Sequence, residues 1–244
     1  MTDIAATDTA RDAVLGKPVP GWGGAAPPDP CPVDGRYCRI EPLSMAHAPD
    51  LYAAFRADGG EANWDYLPYG PFDDPGSFRA FLAGSCLGRD PLFYAVRDLA
   101  SGRALGMASN LRIDPPQGVI EVGHIHFSPA LQRRPAATES MFLMMRQVFD
   151  DWGYRRYEWK CNNLNTGSKQ AAVRLGFSLE GVFRQAAVVK GRNRDTAWFS
   201  VLDSEWPARR DAFERWLDPD NFDSAGRQRA SLAALREAPQ DNSR

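Results

Sequence analysis

Three side chains of one predicted strand could do acid–base chemistry. Glu121, His124 and His126 all lie within the run VIEVGHIHF. On a regular strand the two histidines point to one face and Glu121 to the other, but a β-bulge would break that alternation. Either histidine could then act as a base or relay a proton, although strand histidines without a partner are more often packed or at the surface. No third ligand suggests itself nearby, so we predict no metal site.

A second stretch, LQRRPAATES at 131–140, has the composition of an anion-binding turn. It stands between a strand-like run and a helix-like run, and it contains two arginines, a proline and then small residues. The first backbone N–H groups of a helix are unpaired and carry partial positive charge, and small side chains let an anion approach them. An ordinary helix start with exposed Arg133 and Arg134 would explain the same residues, so the turn alone does not decide.

Alternating strand and helix patterns position these residues. Strands are predicted at 36–43, 91–98, 104–114, 119–127, 154–162, 178–190 and 196–202, and helices at 45–58, 75–87, 135–152, 166–175 and 207–217. The residues GRNRD at 191–195 are predicted as the turn between the last two strands. This pattern predicts a single domain of the α/β (α+β) class, with a mostly antiparallel mixed sheet and helices on both faces.

Composition limits the classes of function. The chain has 244 residues, of which 25% are charged, and its formal net charge is −2. No global charge therefore draws it to nucleic acid or to an anionic membrane, and we expect neither as a partner. No apolar run approaches the roughly 20 residues of a membrane helix. The four cysteines are scattered, which predicts reduced thiols in a cytoplasmic protein.

Two further segments flank the predicted domain at 36–217. Residues 1–35 are rich in proline and poor in large apolar groups, which predicts a surface arm that is extended or disordered. Residues 218–244 read as a polar C-terminal tail with a short helical patch at 232–235. The oligomeric state, monomer or homodimer, stays open.

The order of several motifs resembles the GNAT acetyltransferase superfamily, in particular its branch of ribosomal-protein N-terminal acetyltransferases. LQRRPAAT is similar to the family's Gln/Arg-x-x-Gly-x-Gly/Ala turn, and NTGSKQAAVRLGF at 165–177 to its Asn-x-x-Ser…Gly-Phe segment. VVKGRNRDTAWFSVLDSEW is similar to the closing hairpin of that branch. The resemblance covers about residues 36–206.

This resemblance implies an acyl-CoA site where the strands at 120–127 and 155–162 splay apart. The pantetheine arm would bond free strand amides, and the pyrophosphate would lie at the turn. Pro135 and Ala137 replace the two glycines of the family's turn, and proline offers no N–H to a ligand. The residues implied to bind the coenzyme are Ile125, His126, Phe127, Leu131, Gln132, Arg133, Arg134, Ala136, Ala137, Thr138, Asn165 and Ser168.

The resemblance also implies catalytic roles. Glu121 stands where the carboxylate-dependent members have their general base, and burial in an aromatic-lined cleft would make such a carboxylate a stronger base. It could equally be a half-exposed strand residue, and His126 is the alternative base. Ser168 matches the serine that protonates the departing thiolate, although its hydroxyl could instead cap the helix that follows Asn165.

The acceptor pocket would be walled by the first helices and the closing hairpin. The aromatic run at 63–72 lies in this region, and Asp65, Asp73 and Asp74 could attract a cationic amine. The same aromatics could instead form a small core under a long loop. The residues predicted to contact the acceptor are Trp64, Tyr66, Tyr69, Glu121 and His124.

Together these features predict an N-acetyltransferase that uses acetyl-CoA. Its acceptor would be a primary amine, either of a small metabolite or at a protein N-terminus. The alternative is a non-catalytic acyl-CoA-binding module that acts as a sensor or interaction partner. Nucleic-acid binding through Arg155, Arg156 and the hairpin arginines is disfavoured by the overall charge.

Overall fold

The computed structural model describes residues 14–57 and 61–237. The parts of the two predicted flanking segments at 1–13 and 238–244 lie outside this description. None of the helices in the described ranges is long and apolar enough to cross a membrane.

In the described ranges, eight strands form one mixed sheet in the order β1-β2-β3-β4-β5-β6-β8-β7. The strands are β1 (Val33–Asp34), β2 (Cys38–Pro42), β3 (Leu92–Asp98), β4 (Ala104–Asp114), β5 (Val119–Phe127), β6 (Arg156–Asn162), β7 (Ser178–Val189) and β8 (Arg192–Leu202). All neighbouring strands are antiparallel except β5 and β6, which are parallel.

The helices lie on both faces of this sheet. They are α1 (Ala48–Phe55), α2 (Pro75–Ser85), α3 (Pro135–Arg146), α4 (Thr166–Arg174), α5 (Trp206–Trp216) and α6 (Leu232–Glu237). The predicted helix at 45–58 begins as a 3₁₀ turn at Met45–His47, because Pro49 fits only the first turn of an α-helix. The predicted α/β (α+β) class is confirmed.

Each face of the sheet carries its own apolar core. The larger cluster combines Met144 and Met145 of α3 and Phe213 of α5 with Tyr94 and Tyr157 of the sheet. The smaller cluster joins α1 and α2 to the other face. Its large members include Leu51, Phe55, Trp64, Phe78, Leu82, Phe93 and Met107. Because both faces are covered, the sheet is a rigid support for the residues at the centre of β5 and β6.

β5 and β6 separate in the middle of the sheet. They pair only from Val119–Arg156 to Val122–Trp159, after which β5 follows β4 and β6 follows β8. The pairing of β4 with β5 shifts its register next to His124, whose φ is 50°. This is the predicted β-bulge, and it bends β5 away from β6. Among the residues that the structure describes, the β6-facing edge of β5 therefore has no strand partner beyond Val122.

A buried carboxylate in the N-terminal half of α3 fixes this helix against β2. Glu139 accepts hydrogen bonds from the backbone N–H groups of Arg36, Tyr37 and Cys38 at 2.6, 2.6 and 2.7 Å. A Cβ on Gly35 would lie 2.4 Å from this carboxyl group, so the turn requires glycine. The N-terminus of α3 is thereby held in a defined position at the edge of the cleft between β5 and β6.

The described part of the N-terminal arm lies over the turn between β4 and β5. Trp22 donates from Nε1 to the carbonyl of Pro116 at 2.9 Å, and the N–H of Ala25 donates to the carbonyl of Pro115 at 2.9 Å. A Cβ on Gly118 would lie 2.5 Å from the Trp22 ring, so the indole packs directly on the backbone. This part of the arm is ordered by specific contacts.

The segment after α5 is more than a polar tail. Asn221 bonds with its side chain to the carbonyls of Trp216 and Ala230 at 3.0 and 3.2 Å, which closes a compact loop. α6 then buries Leu232, and Arg236 donates to main-chain carbonyls at the end of α4. These long-range contacts place residues 218–237 beside α4, where they help to form a cavity wall.

The turn between β7 and β8 differs from the prediction. It consists of Lys190 and Gly191, with φ values of 49° and 72°, which suits a two-residue hairpin turn. The prediction of a turn over 191–195 is wrong, since residues 192–195 belong to β8. Arg194 therefore lies within a strand and its side chain faces one side of the sheet.

Candidate active site

Two cavities meet where β5 and β6 diverge. The first measures about 920 Å³ and runs along the N-terminal ends of α3 and α4. The second measures about 500 Å³ and lies over the polar face of β6 and β8. Ile125, Trp159, Asn165 and Ser168 line both, so the cavities are continuous at the point of divergence. A reaction between two ligands could take place there.

The first cavity is strongly basic. Arg133, Arg134, Arg174 and Arg227 line it, whereas no aspartate or glutamate does so among the side chains that the structure describes. Arg174 also donates to the hydroxyl of Thr138 at 3.0 Å, so that hydroxyl is already engaged. Arg227 is paired with Asp223 at 2.9 Å, so mainly the other three guanidinium groups suit a ligand with several negative charges.

The first turn of α3 adds backbone donors to this basic wall. Arg133 has a φ of 60°, Arg134 is the N-cap, and Pro135 is the first helical residue, where a missing N–H costs nothing. The N–H of Ala137 bonds to the carbonyl of Arg134 at 3.1 Å, whereas that of Ala136 has no backbone partner in the part of the chain described. The predicted anion turn thus offers the amide of Ala136 and two arginines, whereas the amide of Ala137 is already engaged.

Leu131 and Gln132, which were predicted to contact the coenzyme through their main chains, hold the turn together. The N–H groups of Leu131 and Gln132 both donate to the carbonyl of Ser128, at 2.9 and 3.0 Å, and the Leu131 side chain is fully buried. The side-chain amide of Gln132 donates to the carbonyl of Phe127 at 2.8 Å. Their predicted main-chain contacts to a coenzyme are therefore limited to carbonyl oxygens, because the N–H groups shape the turn instead.

Asn165 and Ser168 stand at the junction of the two cavities. Asn165 is the N-cap of α4 and accepts from the N–H of Ser168 at 3.0 Å, so the alternative of Ser168 as the cap is wrong. The Oγ of Ser168 accepts a bond from Nε1 of Trp159 at 3.0 Å. Since that contact uses a lone pair, the hydroxyl proton of Ser168 can still be donated to a ligand.

Glu121 lies in the wall of the second cavity among cations. Its Oε2 is 2.5 Å from Nη1 of Arg112 and 2.8 Å from Nζ of Lys160. Lys160 also contacts Glu158 at 2.7 Å and lies 3.7 Å from the centre of the Trp198 ring. The cavity around Glu121 has aromatic side chains, among them Trp159 and Trp198, and β4 and β6 add two positive charges that the sequence did not predict.

The bulge turns His124 toward the same cavity as Glu121. Its Nδ1 lies 3.2 Å from the hydroxyl of Tyr69, and the two rings are stacked. Burial lowers the pKa of His124, and the nearby Arg112 and Arg194 lower it further. The imidazole is therefore neutral at neutral pH and could accept a proton.

His126 has a different environment. Its ring is stacked on Phe55 at 3.8 Å and meets the edge of Trp64 at 4.1 Å. Neither ring nitrogen has a hydrogen-bond partner in the described residues, and burial lowers the pKa of His126 to about 3. The predicted catalytic role of this ring is wrong, because the residue faces the core under α1. Only its main chain remains available to a coenzyme.

Acidification should therefore destabilise the protein through His126. Its folded pKa of about 3 lies below the unfolded value of 6.5, so between these values the unfolded state binds more protons and stability falls as the pH falls. The contribution is about 2 kcal/mol at pH 5. His126→Phe keeps the stacking, and urea unfolding at pH 7 and pH 5 should show a smaller loss in this variant. Equal losses in both proteins would contradict the assignment.

The predicted acceptor residues of the aromatic run are mostly structural. Trp64 is buried in the smaller core, and Tyr69 packs against Phe81 as well as against His124. Only Tyr66 lines the cavities, where its hydroxyl donates to a main-chain carbonyl. The aromatics are thus mainly a small core under a loop.

The acidic residues near this loop do not form an amine site. Asp74 caps α2 by accepting from the N–H groups of Gly76 and Ser77 at 2.7 and 3.0 Å. Neither Asp65 nor Asp73 lines either cavity. The prediction that these carboxylates attract a cationic amine is wrong, because their side chains are exposed outside the site.

The sequence interpretation missed four side chains of the second cavity, which are Arg112, Lys160, Arg194 and Trp198. Charged residues alternate in EWKCN, which is a signal that β6 has a polar face. Arg194 was not predicted to line a cavity because the residues 191–195 were assigned to a turn. A two-residue turn at Lys190–Gly191 would have placed it on one face of β8 together with Trp198.

Comparisons with known proteins agree with this architecture. The family model of the Acetyltransferase (GNAT) domain matches residues 38–178. A GCN5-related N-acetyltransferase from Brucella melitensis is 49% identical with a TM-score of 0.88, over 90% of this chain and 100% of that one. A probable acetyltransferase of the GNAT family from Chromobacterium violaceum is 41% identical with a TM-score of 0.73, over 78% and 96%.

A more distant structure shares the fold. The Microcin C7 self immunity acetyltransferase MccE, in complex with acetyl-CoA and AMP, is 19% identical with a TM-score of 0.60, over 69% of this chain and 93% of that one. No curated protein matches the chain.

Proposed function

Since this chain belongs to the GNAT acetyltransferase family, we propose that it transfers an acetyl group from acetyl-CoA to a primary amine. The observation that carries the proposal is the junction of the two cavities at Ile125, Trp159, Asn165 and Ser168. One cavity suits a polyanionic donor, and the other can hold an acceptor. Ligands in both would meet where β5 has a free edge.

The residues of the first cavity fit coenzyme A. Arg133 and Arg134, with the N–H of Ala136, would bind its phosphates at the positive end of α3. The free edge of β5 near Ile125 and the side-chain NH₂ of Asn165 would bond the amide groups of its arm. The complex of MccE with acetyl-CoA supports this type of ligand for the fold.

The chemistry needs few groups from the protein. Acetyl-CoA supplies an acetyl group that is activated as a thioester. We assign Glu121 to accept the proton of the amine, directly or through a water, as the C–N bond forms. The hydroxyl of Ser168 would give a proton to the sulfur as the C–S bond breaks. Glu121 lines the second cavity, and Ser168 lines both cavities where they meet, so an amine held in the second cavity would lie between them.

Thiol release from acetyl-CoA in the presence of a panel of amines tests the proposal. Release that depends on the amine, together with a product that has gained one acetyl group by mass spectrometry, would support it. A protein that acetyl-CoA stabilises against heat, but that releases no thiol with any amine, would instead be a non-catalytic acyl-CoA-binding module.

We also propose that the protein works in the cytoplasm, which its four free cysteines favour.

A further inference from the structure

We infer that the acceptor amine also carries an anionic group, a carboxylate or a phosphate, which Arg194 binds in the second cavity. The inference rests on the proposed function and names the substrate class of that site. It starts from β8, where Arg194, Thr196 and Trp198 face the cavity together. Residues at every second position of a strand share one face, so these three side chains form a continuous strip.

Six ionic groups around this cavity neutralise one another. They form one chain of ion pairs with contacts of 2.5 to 2.8 Å. Its members in order are Arg112, Glu121, Lys160, Glu158, Arg156 and Glu180. Three cations are matched by three carboxylates, so this chain leaves no net charge for a ligand.

Arg194 stands outside that chain. Within the described ranges its guanidinium takes part in no ion pair and no hydrogen bond, and its Nε is buried without a partner. Trp198 on the same strip also has a buried Nε1 without a partner. Buried donors are nearly always satisfied in proteins, and exceptions often mark a missing ligand. Two buried donors without partners, on the same strip of one cavity, point to a ligand that accepts hydrogen bonds.

A guanidinium is suited to one kind of ligand. Its planar fork of N–H groups matches the two oxygens of a carboxylate or those of a phosphate. Glu121 is the only carboxylate among the described side chains of this cavity, and it is already paired with Arg112 and Lys160. The cavity as a whole is therefore positive, which favours an anionic acceptor over a polycation.

The walls of the cavity favour a small acceptor. Lys190 at the tip of the β7–β8 hairpin donates to the carbonyl of Trp64 at 2.8 Å, which ties the hairpin to the aromatic loop. Tyr66 in that loop donates to the carbonyl of Leu164 at 3.3 Å. These contacts tie the aromatic loop both to the hairpin and to the segment before α4. An amino acid or an aminoalkyl phosphate suits this space better than the N-terminus of a folded protein.

Matched amines test the inference. Several α-amino acids are each compared with their α-amides, and phosphoethanolamine with ethanolamine, by steady-state kinetics at saturating acetyl-CoA. The amide also represents a peptide N-terminus, since it keeps the α-amine and lacks the carboxylate. We expect lower KM values for the anionic members. Arg194→Gln should raise those KM values by about 10- to 100-fold, change kcat little, and leave the KM of the amides unchanged.

Two variants serve as controls. Arg192→Gln removes the same charge from an exposed position two residues earlier and should leave all KM values unchanged. Arg194→Lys keeps the positive charge but lacks the planar guanidinium. Its KM values for the anionic amines should lie between those of the parent and of Arg194→Gln. Stabilisation of Arg194→Gln by acetyl-CoA shows that its fold and coenzyme site are intact. Comparing each amino acid with its amide in parent and variant cancels the difference in basicity between the two amines.

The possible outcomes separate this inference from the proposed function. A preference for the amides that Arg194→Gln does not alter overturns the inference and favours a peptide N-terminus, while acetyl transfer stands. If no amine releases thiol, the proposed function fails. The inference is then tested by thermal shift in the presence of coenzyme A. Amino acids should raise the melting temperature of the protein more than their amides do. Loss of that stabilisation in Arg194→Gln would support it, and absence of any preference in the parent would overturn it.

Discussion

Replacing Arg133 and Arg134 together by glutamate is expected to weaken acetyl-CoA binding by at least about 100-fold. Both side chains lie at the N-terminus of α3 and line the basic cavity. Each can make charge-assisted bonds to a phosphate, and the substitution also places two negative charges beside it. A ligand that binds only the folded state raises the melting temperature by mass action, so the loss appears as a missing thermal shift.

Calorimetric titration of acetyl-CoA gives the affinity directly. Arg79→Glu with Arg89→Glu is the matched control, because both positions are exposed and lie outside both cavities. Arg134 also lies 3.6 Å from the buried Asp98, so a glutamate there could destabilise the fold. The milder Arg133→Gln with Arg134→Gln removes the charge without adding repulsion. If acetyl-CoA binds with the parental affinity to both the glutamate and the glutamine variant of Arg133 and Arg134, the coenzyme does not use this turn.

Local patterns were sufficient to predict the elements that hold the site. The strand that contains Glu121, the turn at 131–134 and the helix from Pro135 all follow from short-range signals, because each depends on the residues of one segment. The bulge at His124 was also expected from the divergence of two strands. These local features are enough to place the predicted site residues on neighbouring elements of the chain.

The errors concern contacts between distant segments. Glu121 meets Arg112 of β4 and Lys160 of β6, and this depends on the order of strands in the sheet, which periodicity does not give. Whether the ring of His126 faces solvent or core depends on the position of the bulge to a single residue. If the bulge lay one residue further along β5, the ring of His126 would face the opposite side of the sheet.

The role of the C-terminal segment was hidden for a similar reason. Residues 218–237 are mostly polar, so their composition suggests a tail. Their order comes from a few specific contacts, such as the side chain of Asn221 with the main chain and the burial of Leu232 against the core. Arg227 thereby joins the basic cavity from outside the region of family resemblance.

Glu121→Gln should lower turnover by roughly 10²–10⁴ and leave acetyl-CoA binding unchanged. The substitution keeps the shape of the side chain and removes its ability to take a proton. Glu121 lines the second cavity and not the first, so the coenzyme site should be unaffected. The part of the pH–rate profile that falls on acidification should be lost if the carboxylate is the base. Single-turnover kinetics with a good acceptor amine would measure both effects.

Loss of an ion pair could imitate loss of a base, and Glu158→Gln distinguishes the two. Glu158 contacts the same Lys160, at 2.7 Å, but does not line the second cavity. If Glu121 serves only to balance Lys160, both variants should slow turnover alike, with unchanged pH dependence. His124→Gln is the second comparison, because that imidazole is neutral and faces the same cavity. A large loss in His124→Gln while Glu121→Gln stays active would assign the proton transfer to the histidine.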